Sequence, residues 1–181
     1  MRKRRVWAVG VAFLSVFGAY AGSPYWAARQ LRVAAASGDI DAIEQLVDFP
    51  AVRESLKSQL TVMLTNKMNE DPNLKGNPFA GFGMMLMPTM INNMVDGFVT
   101  PDAISAMATQ GKVAKNIKSE GSDSKVTYKY GYRGINRFGV AIKNREKPDE
   151  RALTFVFDRR GLFSWRLVRI QMPPELLKPA A

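Results

Sequence analysis

The chain has 181 residues, 26 of them basic and 16 acidic, giving a formal net charge of +10, and it contains neither cysteine nor histidine. That length suits one compact domain with an appendage, and 46% hydrophobic residues is a globular composition. The missing residue types exclude disulfide frameworks, thiolate nucleophiles, thiolate or imidazole metal ligands and every proton relay built on histidine. Carboxylates, lysines, tyrosines and serines remain for chemistry, and no catalytic residue, metal site or cofactor is assigned from their pattern.

At the amino terminus Arg2, Lys3, Arg4 and Arg5 precede a run from Val6 to Ala21 without a charged residue. This is the pattern of an export signal or membrane anchor, with the basic cluster on the cytoplasmic side. Two outcomes stand open. Ala19-Tyr20-Ala21 offers a signal peptidase site before Gly22 and a periplasmic product. The aromatic residues of Ser23-Pro24-Tyr25-Trp26 suit a membrane interface and an uncleaved inner-membrane anchor with the domain on the periplasmic side.

Ser23 before Pro24 predicts the start of a helix running to about Ser37. Gly38 ends it, and Asp39 or Asp41 caps a second helix carrying Ile40, Ile43, Leu46 and Val47. Asp48-Phe49-Pro50 opens a third helix whose Val52, Leu56, Leu60, Met63 and Leu64 share one face, with Arg53, Glu54 and Lys57 outside it. Residues 69 to 77 read as a loop. Pro78 to Val99 reads as a methionine-rich helix, too polar in its second half for a second membrane span, and Thr100-Pro101-Asp102 starts a short helix after it.

From Lys125 the periodicity changes to two. Val126, Tyr128, Tyr130 and Tyr132 predict one strand, and Phe138, Val140 and Ile142 a second. After the charged loop at 143 to 150 come Leu153, Phe155 and Phe157, a turn at Asp158 to Gly161, and a last strand from Leu162 to about Gln171. The expectation is therefore an α+β fold, with an N-terminal hydrophobic helix, several amphipathic helices and a four-stranded antiparallel meander packed on them. Its parts are a signal or anchor at 1 to 21, a helical half at 22 to 111, a sheet half at 112 to 172, and a flexible tail at 173 to 181.

One series of residues covers nearly the whole chain: Ser23-Pro24-Tyr25, Leu31 with Ala34 to Ala36, Gly38-Asp39, Val47-Asp48-Phe49-Pro50, Asn77-Pro78-Phe79, Thr100-Pro101, Arg137-Phe138 and Trp165-Arg166-Leu167. In this series the chain resembles the bacterial domain-of-unknown-function family 2939, with Val-Asp-Phe-Pro the most distinctive element. The resemblance implies a small envelope protein with an amino-terminal hydrophobic segment, and it implies no reaction and no active-site residue.

Charge is distributed unevenly. Residues 22 to 111 hold 6 basic and 9 acidic residues, whereas 112 to 169 hold 15 basic and 6 acidic. Alternation places Lys129, Arg133, Arg137 and Lys143 on one face of the sheet, joined by Arg166, as a candidate surface for anionic lipid. Met84, Met87, Met90 and Met94 form a candidate apolar partner surface, because unbranched thioethers repack easily. Asp48, Tyr128 and Tyr130 are candidates for lining a cavity between sheet and helices. The expected role is a non-catalytic envelope-associated binding or interaction module, its partners the membrane and an envelope protein or small ligand, and not nucleic acid. The alternative is a periplasmic small-molecule carrier or unusual enzyme with that cavity.

Overall fold

The computed structural model describes residues 2–70, 78–109, 126–144 and 152–173. Five helices are followed by four strands: α1 Arg2–Ser37, α2 Ile40–Leu46, α3 Phe49–Glu70, α4 Pro78–Phe98, α5 Pro101–Thr109, β1 Val126–Gly134, β2 Arg137–Asn144, β3 Leu153–Arg159 and β4 Trp165–Gln171. The strands pair antiparallel in the order β1-β2-β3-β4. The α+β arrangement of helices followed by a four-stranded meander is therefore as the hydrophobic pattern predicts. Asn69 and Glu70, expected to open a loop at 69–77, instead form the last residues of α3; the rest of that loop, most of the charged loop after β2, the first part of the sheet half and the tail from 174 lie outside the described residues.

The start of the first domain helix differs from expectation. Ser23 does not cap a new helix at Pro24; both lie inside the 36-residue α1. A proline within a helix removes the N–H that would bond the carbonyl four residues earlier, here that of Tyr20. The Ser23 hydroxyl takes over and donates to Tyr20 O at 2.8 Å, so the helix continues through the proline. Although α1 is long, no helix among the described residues is long and apolar enough to cross a membrane. A 16-residue apolar run rises only about 24 Å, against a hydrocarbon thickness of about 30 Å.

The other helix boundaries follow their capping residues. Gly38 adopts φ 71°, the left-handed conformation that ends α1 without a side-chain clash. Asp39 Oδ1 accepts from Ala42 N at 3.0 Å, Asp48 Oδ1 from Ala51 N at 3.2 Å, and Thr100 Oγ1 from Ala103 N at 3.1 Å. The last strand begins at Trp165 rather than Leu162. The β3–β4 connection is longer than a tight turn and is closed by Arg160 N donating to Ser164 O at 2.9 Å, which leaves Leu162 exposed.

Register divides the sheet into two faces. Tyr128 opposes Ile142, Tyr130 opposes Val140 and Tyr132 opposes Phe138; across β2 and β3, Phe138 opposes Phe157. A bulge at β4 makes Val168 an extra residue, so that Trp165 and Leu167 point inward and the inward set resumes at Ile170. This inner face meets Ala27 and Ala34 of α1, Ile43 of α2 and Phe49 and Val52 of α3 in one core. Phe138, Ile43 and Val52 are almost wholly excluded from solvent. Small residues at 27, 28 and 34 let α1 approach the sheet closely.

The free edge of β4 is occupied. Val47 forms a parallel bridge with Leu167, Asp48 N donates to Leu167 O at 2.8 Å, and the Gln59 amide spans the next positions. Gln59 Nε2 donates to Ile170 O at 2.8 Å, and its Oε1 accepts from Met172 N at 3.1 Å. A side-chain amide thus supplies the donor and acceptor that a fifth strand would bring.

Candidate functional site

The most densely built feature is the seat of α1 on the inner face. Moving along the helix, Tyr20, Tyr25 and Arg32 meet the sheet from its Tyr132 end to its Tyr128 end. Tyr132 Oη donates to Ala21 O at 2.7 Å, Trp165 Nε1 donates to the Ser23 hydroxyl at 2.8 Å, and the Tyr25 ring meets Phe138 edge-on at 4.7 Å between centroids. The Arg32 guanidinium lies 5.7 Å from the centre of the Tyr128 ring. Each contact joins α1 to a different part of the sheet, which fixes the helix in rotation and in translation.

Arg159 closes this seat at the Tyr20 end. Its guanidinium stacks between the rings of Tyr20 and Trp165, 3.9 and 4.3 Å from their centres. Its Nη1 donates to Leu162 O, while Nε and Nη2 are shielded from solvent without a hydrogen-bond partner among the described residues. Burial pushes the Tyr132 phenol above its ordinary pKa, and the neighbouring Arg159 charge opposes that shift. Arg159 was not among the residues singled out from the sequence. Its signal was legible: Leu153, Phe155, Phe157 and Arg159 share one parity, so a cation stands at an inward position.

The five basic residues chosen from alternation do fall on the outer face. Register aligns Lys129 with Ala141, Lys143 with Thr127, and Arg137 with Asp158, which pairs in turn with Arg166. Two of them are already engaged. Arg137 grips the Asp158 carboxylate through Nε at 2.8 Å and Nη2 at 3.2 Å, and that hydrogen bond raises its pKa further. Arg133 lies across Gly139 and donates to Gln171 Oε1 at 2.9 Å. A Cβ at position 139 would stand 2.7 Å from Arg133 Nε, so any other residue there would push this side chain off its present course. Lys129 and Arg166 are exposed, and Arg169, missed in the sequence reading, extends the same face.

Asp48, Tyr128 and Tyr130 are not brought together. Asp48 caps α3 at the β4 edge and holds Arg160 Nη2 at 2.6 Å. The two tyrosines stand on β1, at the opposite edge, within the aromatic stack on Phe138. Two open grooves occur elsewhere. One of about 680 Å³ runs between α3 and the end of the sheet, beside Glu54, Ser55, Arg160 and Arg169. A second of about 450 Å³ lies between α1 and α2, beside Trp26, Val33 and Leu46. None of the three cavity candidates lines either one. Among the described residues no cluster of three carboxylates could hold a metal ion.

The methionine helix α4 rests on α3. Ile91 and Val95 are buried, Lys57 Nζ bonds Asp96 Oδ2 at 2.8 Å, and Arg53 Nε donates to Val99 O at 2.9 Å. Met90 and Met94 project away from this contact. Met84 is partly exposed beside it, and Met87 is half-buried. Phe82, Met85, Leu86 and Phe98 are also exposed and enlarge the apolar surface beyond the four methionines.

The family model for a protein of unknown function, DUF2939, matches residues 13–107, more than half of the chain. The chain belongs to this family. The DUF2939 match runs from the first half of α1 into α5, and includes Tyr20, Ser23 and the whole of α4. The sheet that receives α1 lies beyond it. No curated protein and no solved structure matches the chain.

Proposed function

We propose that this DUF2939 protein is a membrane-tethered interaction domain of the bacterial envelope whose amino-terminal helix is retained after export. The observation that carries the reading is the seat at Tyr20 to Ser23. The Ala21–Gly22 bond lies inside a continuous helix, with Ala21 O bonded to Tyr132 and Tyr20 stacked on Arg159. Cleavage there would remove one aromatic lid from Arg159 and the carbonyl that accepts from Tyr132. Both changes disfavour the folded product, so the domain itself protects the bond.

The half of α1 before the seat supports tethering. Trp7, Val11, Phe13, Leu14, Val16 and Phe17 are all more than half exposed, and at about 100° per residue they spread over about 220° of the helix circumference. A helix that is apolar all round calls for lipid rather than one protein face. Arg2 to Arg5 favour the cytoplasmic side for its start, while Tyr25 and Trp26, exposed near the seat, are suited to the opposite interface. The short run is accommodated by local bilayer thinning. The domain then sits close to the headgroups, where the cationic outer face of the sheet meets anionic lipid or an acidic partner.

The test is amino-terminal sequencing of the protein expressed from its own start codon, with membrane fractionation. An intact terminus in the membrane fraction is expected. A new terminus at Gly22 in the soluble fraction overturns tethering. For the electrostatic part, reversing Lys129, Arg133 and Arg166 should remove salt-sensitive binding to vesicles containing anionic lipid. Binding unchanged by that triple reversal removes the cationic face from the reading.

A further inference from the structure

The exposed side of α4 has an order that its methionine count conceals. Phe82, Leu86, Met90, Met94 and Phe98 recur at every fourth residue, and their exposures are 61%, 44%, 69%, 47% and 64%. Side chains spaced by four form one continuous ridge on a helix, inclined to its axis. The neighbouring row is Met85, Thr89, Asn93 and Gly97, all exposed and becoming small after the methionine. A large-residue ridge therefore runs beside a small-residue groove along about four turns of the same helix. Pro88, which interrupts the backbone ladder, falls outside both rows.

From this arrangement we infer that α4 is the self-association surface of the protein, pairing with α4 of a second copy about a two-fold axis near Met90. The inference rests on the reading of the chain as an interaction domain and names the partner. Ridge and groove on one helix make the surface complementary to itself under two-fold rotation, as an isologous contact requires. Packing rows spaced by four from both helices gives a crossing angle of about −50°. The area is also sufficient. Counting a fully exposed large side chain as about 200 Å², the ridge and Met85 offer about 700 Å² per copy. A specific interface buries about 600–1,000 Å² on each partner, a range that contains this area, whereas the largest apolar patch of an ordinary monomer is about 300–600 Å².

Charge favours the same partner. From Pro78 to Phe98 the sole charged residue is Asp96, and its carboxylate is held by Lys57. Two copies of the ridge therefore approach without like-charge repulsion. An anionic lipid surface would gain nothing from a helix with no basic residue. Thioethers at positions 90 and 94, in the middle and second half of the ridge, let the two copies adjust at their closest approach.

The chain has no cysteine, so one introduced thiol reports its own neighbourhood without background. The full chain carrying Met90→Cys, in membranes and under mild oxidation, should give a disulfide-linked dimer. Yield should fall for Phe82→Cys and Phe98→Cys, farther from the axis, and vanish for Ile135→Cys at the exposed β1–β2 turn. In the unmodified background, Met90→Asp should weaken dimerisation by about tenfold or more, because it sets two carboxylates at the axis. Met90→Leu should retain it. Met90 is 69% exposed, so both variants should keep the fold, with an unchanged circular dichroism spectrum as the check.

Equal cross-linking at positions 90 and 135, or undiminished dimerisation of Met90→Asp, overturns the inference. If Met90→Cys forms no dimer yet resists an aqueous maleimide, something other than a second copy covers α4; self-association fails while the interaction reading stands. If it forms no dimer and reacts freely with that reagent, self-association fails and so does α4 as a docking surface. Neither outcome moves the terminus found by sequencing, so failure of tethering is read separately.

Discussion

The two halves of α1 belong to one unbroken helix and have opposite surroundings. Before Ala19 every described side chain is exposed, including four aromatic rings or large aliphatics above 70% or near it: Trp7 at 77%, Phe13 at 79%, Leu14 at 72% and Phe17 at 65%. From Tyr20 onward one side of the same helix is fixed to the sheet by hydrogen bonds, ring contacts and a buried strip of alanines. The difference is one of composition. The first half is apolar on all sides and has no direction in which to pack. The second alternates Ala27, Leu31 and Ala34 with Arg29, Gln30 and Val33, which is enough asymmetry to choose a face. Because no break separates the halves, the orientation of one dictates that of the other.

The strongest way to erase this contrast is Trp165→Ala. That ring is 2% exposed and contacts Phe138, Tyr132, Arg159 and Ser23. Its loss should cost about 3–5 kcal/mol, read as a lowered denaturation midpoint, and should release α1 to proteolysis. The complementary attack on the bare half is Leu14→Arg. A cation in mid-run costs about 2.5–3.5 kcal/mol of insertion, so the protein should leave the membrane fraction while its thermal unfolding stays the same. Loss of both properties from either variant would mean that the halves are not independent environments.

Ser23→Ala is a sharper probe because one hydroxyl serves both the helix and the sheet. It should leave Tyr20 O and Trp165 Nε1 without partners, at about 1–3 kcal/mol. Ser23→Thr, which keeps the hydroxyl, should restore most of this. Tyr132→Phe removes the bond to Ala21 O and should cost about 0.5 kcal/mol at neutral pH. Its main effect lies in alkali. The folded pKa is raised above the ordinary 10.0, so the folded state holds the phenolic proton more tightly than the unfolded chain does. The corresponding stability is present below pH 10 and is lost as pH rises above 10 through the raised value. The phenylalanine variant should lack that loss, as measured by denaturation at pH 9 and above pH 10.

Strand number, strand order and the caps at Asp39, Asp48 and Thr100 were legible because each depends on local chemistry: alternation, glycine at a left-handed position, or an oxygen facing free N–H groups. The outer position of Lys129, Arg133, Arg137, Lys143 and Arg166 followed from the same alternation. What escaped was decided at long range. Pro24 reads locally as a first-turn residue, and only the Ser23 hydroxyl bonded back to Tyr20, together with the sheet beneath, makes it an interior one. The bulge at Val168 shifts the inward set of β4 by one, which no periodicity in that strand announces. Counting methionines found Met90 and Met94 but missed the ridge, because Phe82, Leu86 and Phe98 become its members only when the uncovered side of α4 is known.

The position of Gln59 bears on how the protein avoids fibrous aggregation. A sheet normally grows when a strand of another chain lines up along an open edge and finds unpaired main-chain groups in register. On β4 those groups at Ile170 and Met172 are already satisfied by one glutamine, and the bridge from Val47 covers the beginning of the strand. Strand addition at this edge would first require α3 to be lifted away, and with it Val52 and Leu56 from the core. The helix that completes the interior thus also blocks fibril growth along β4.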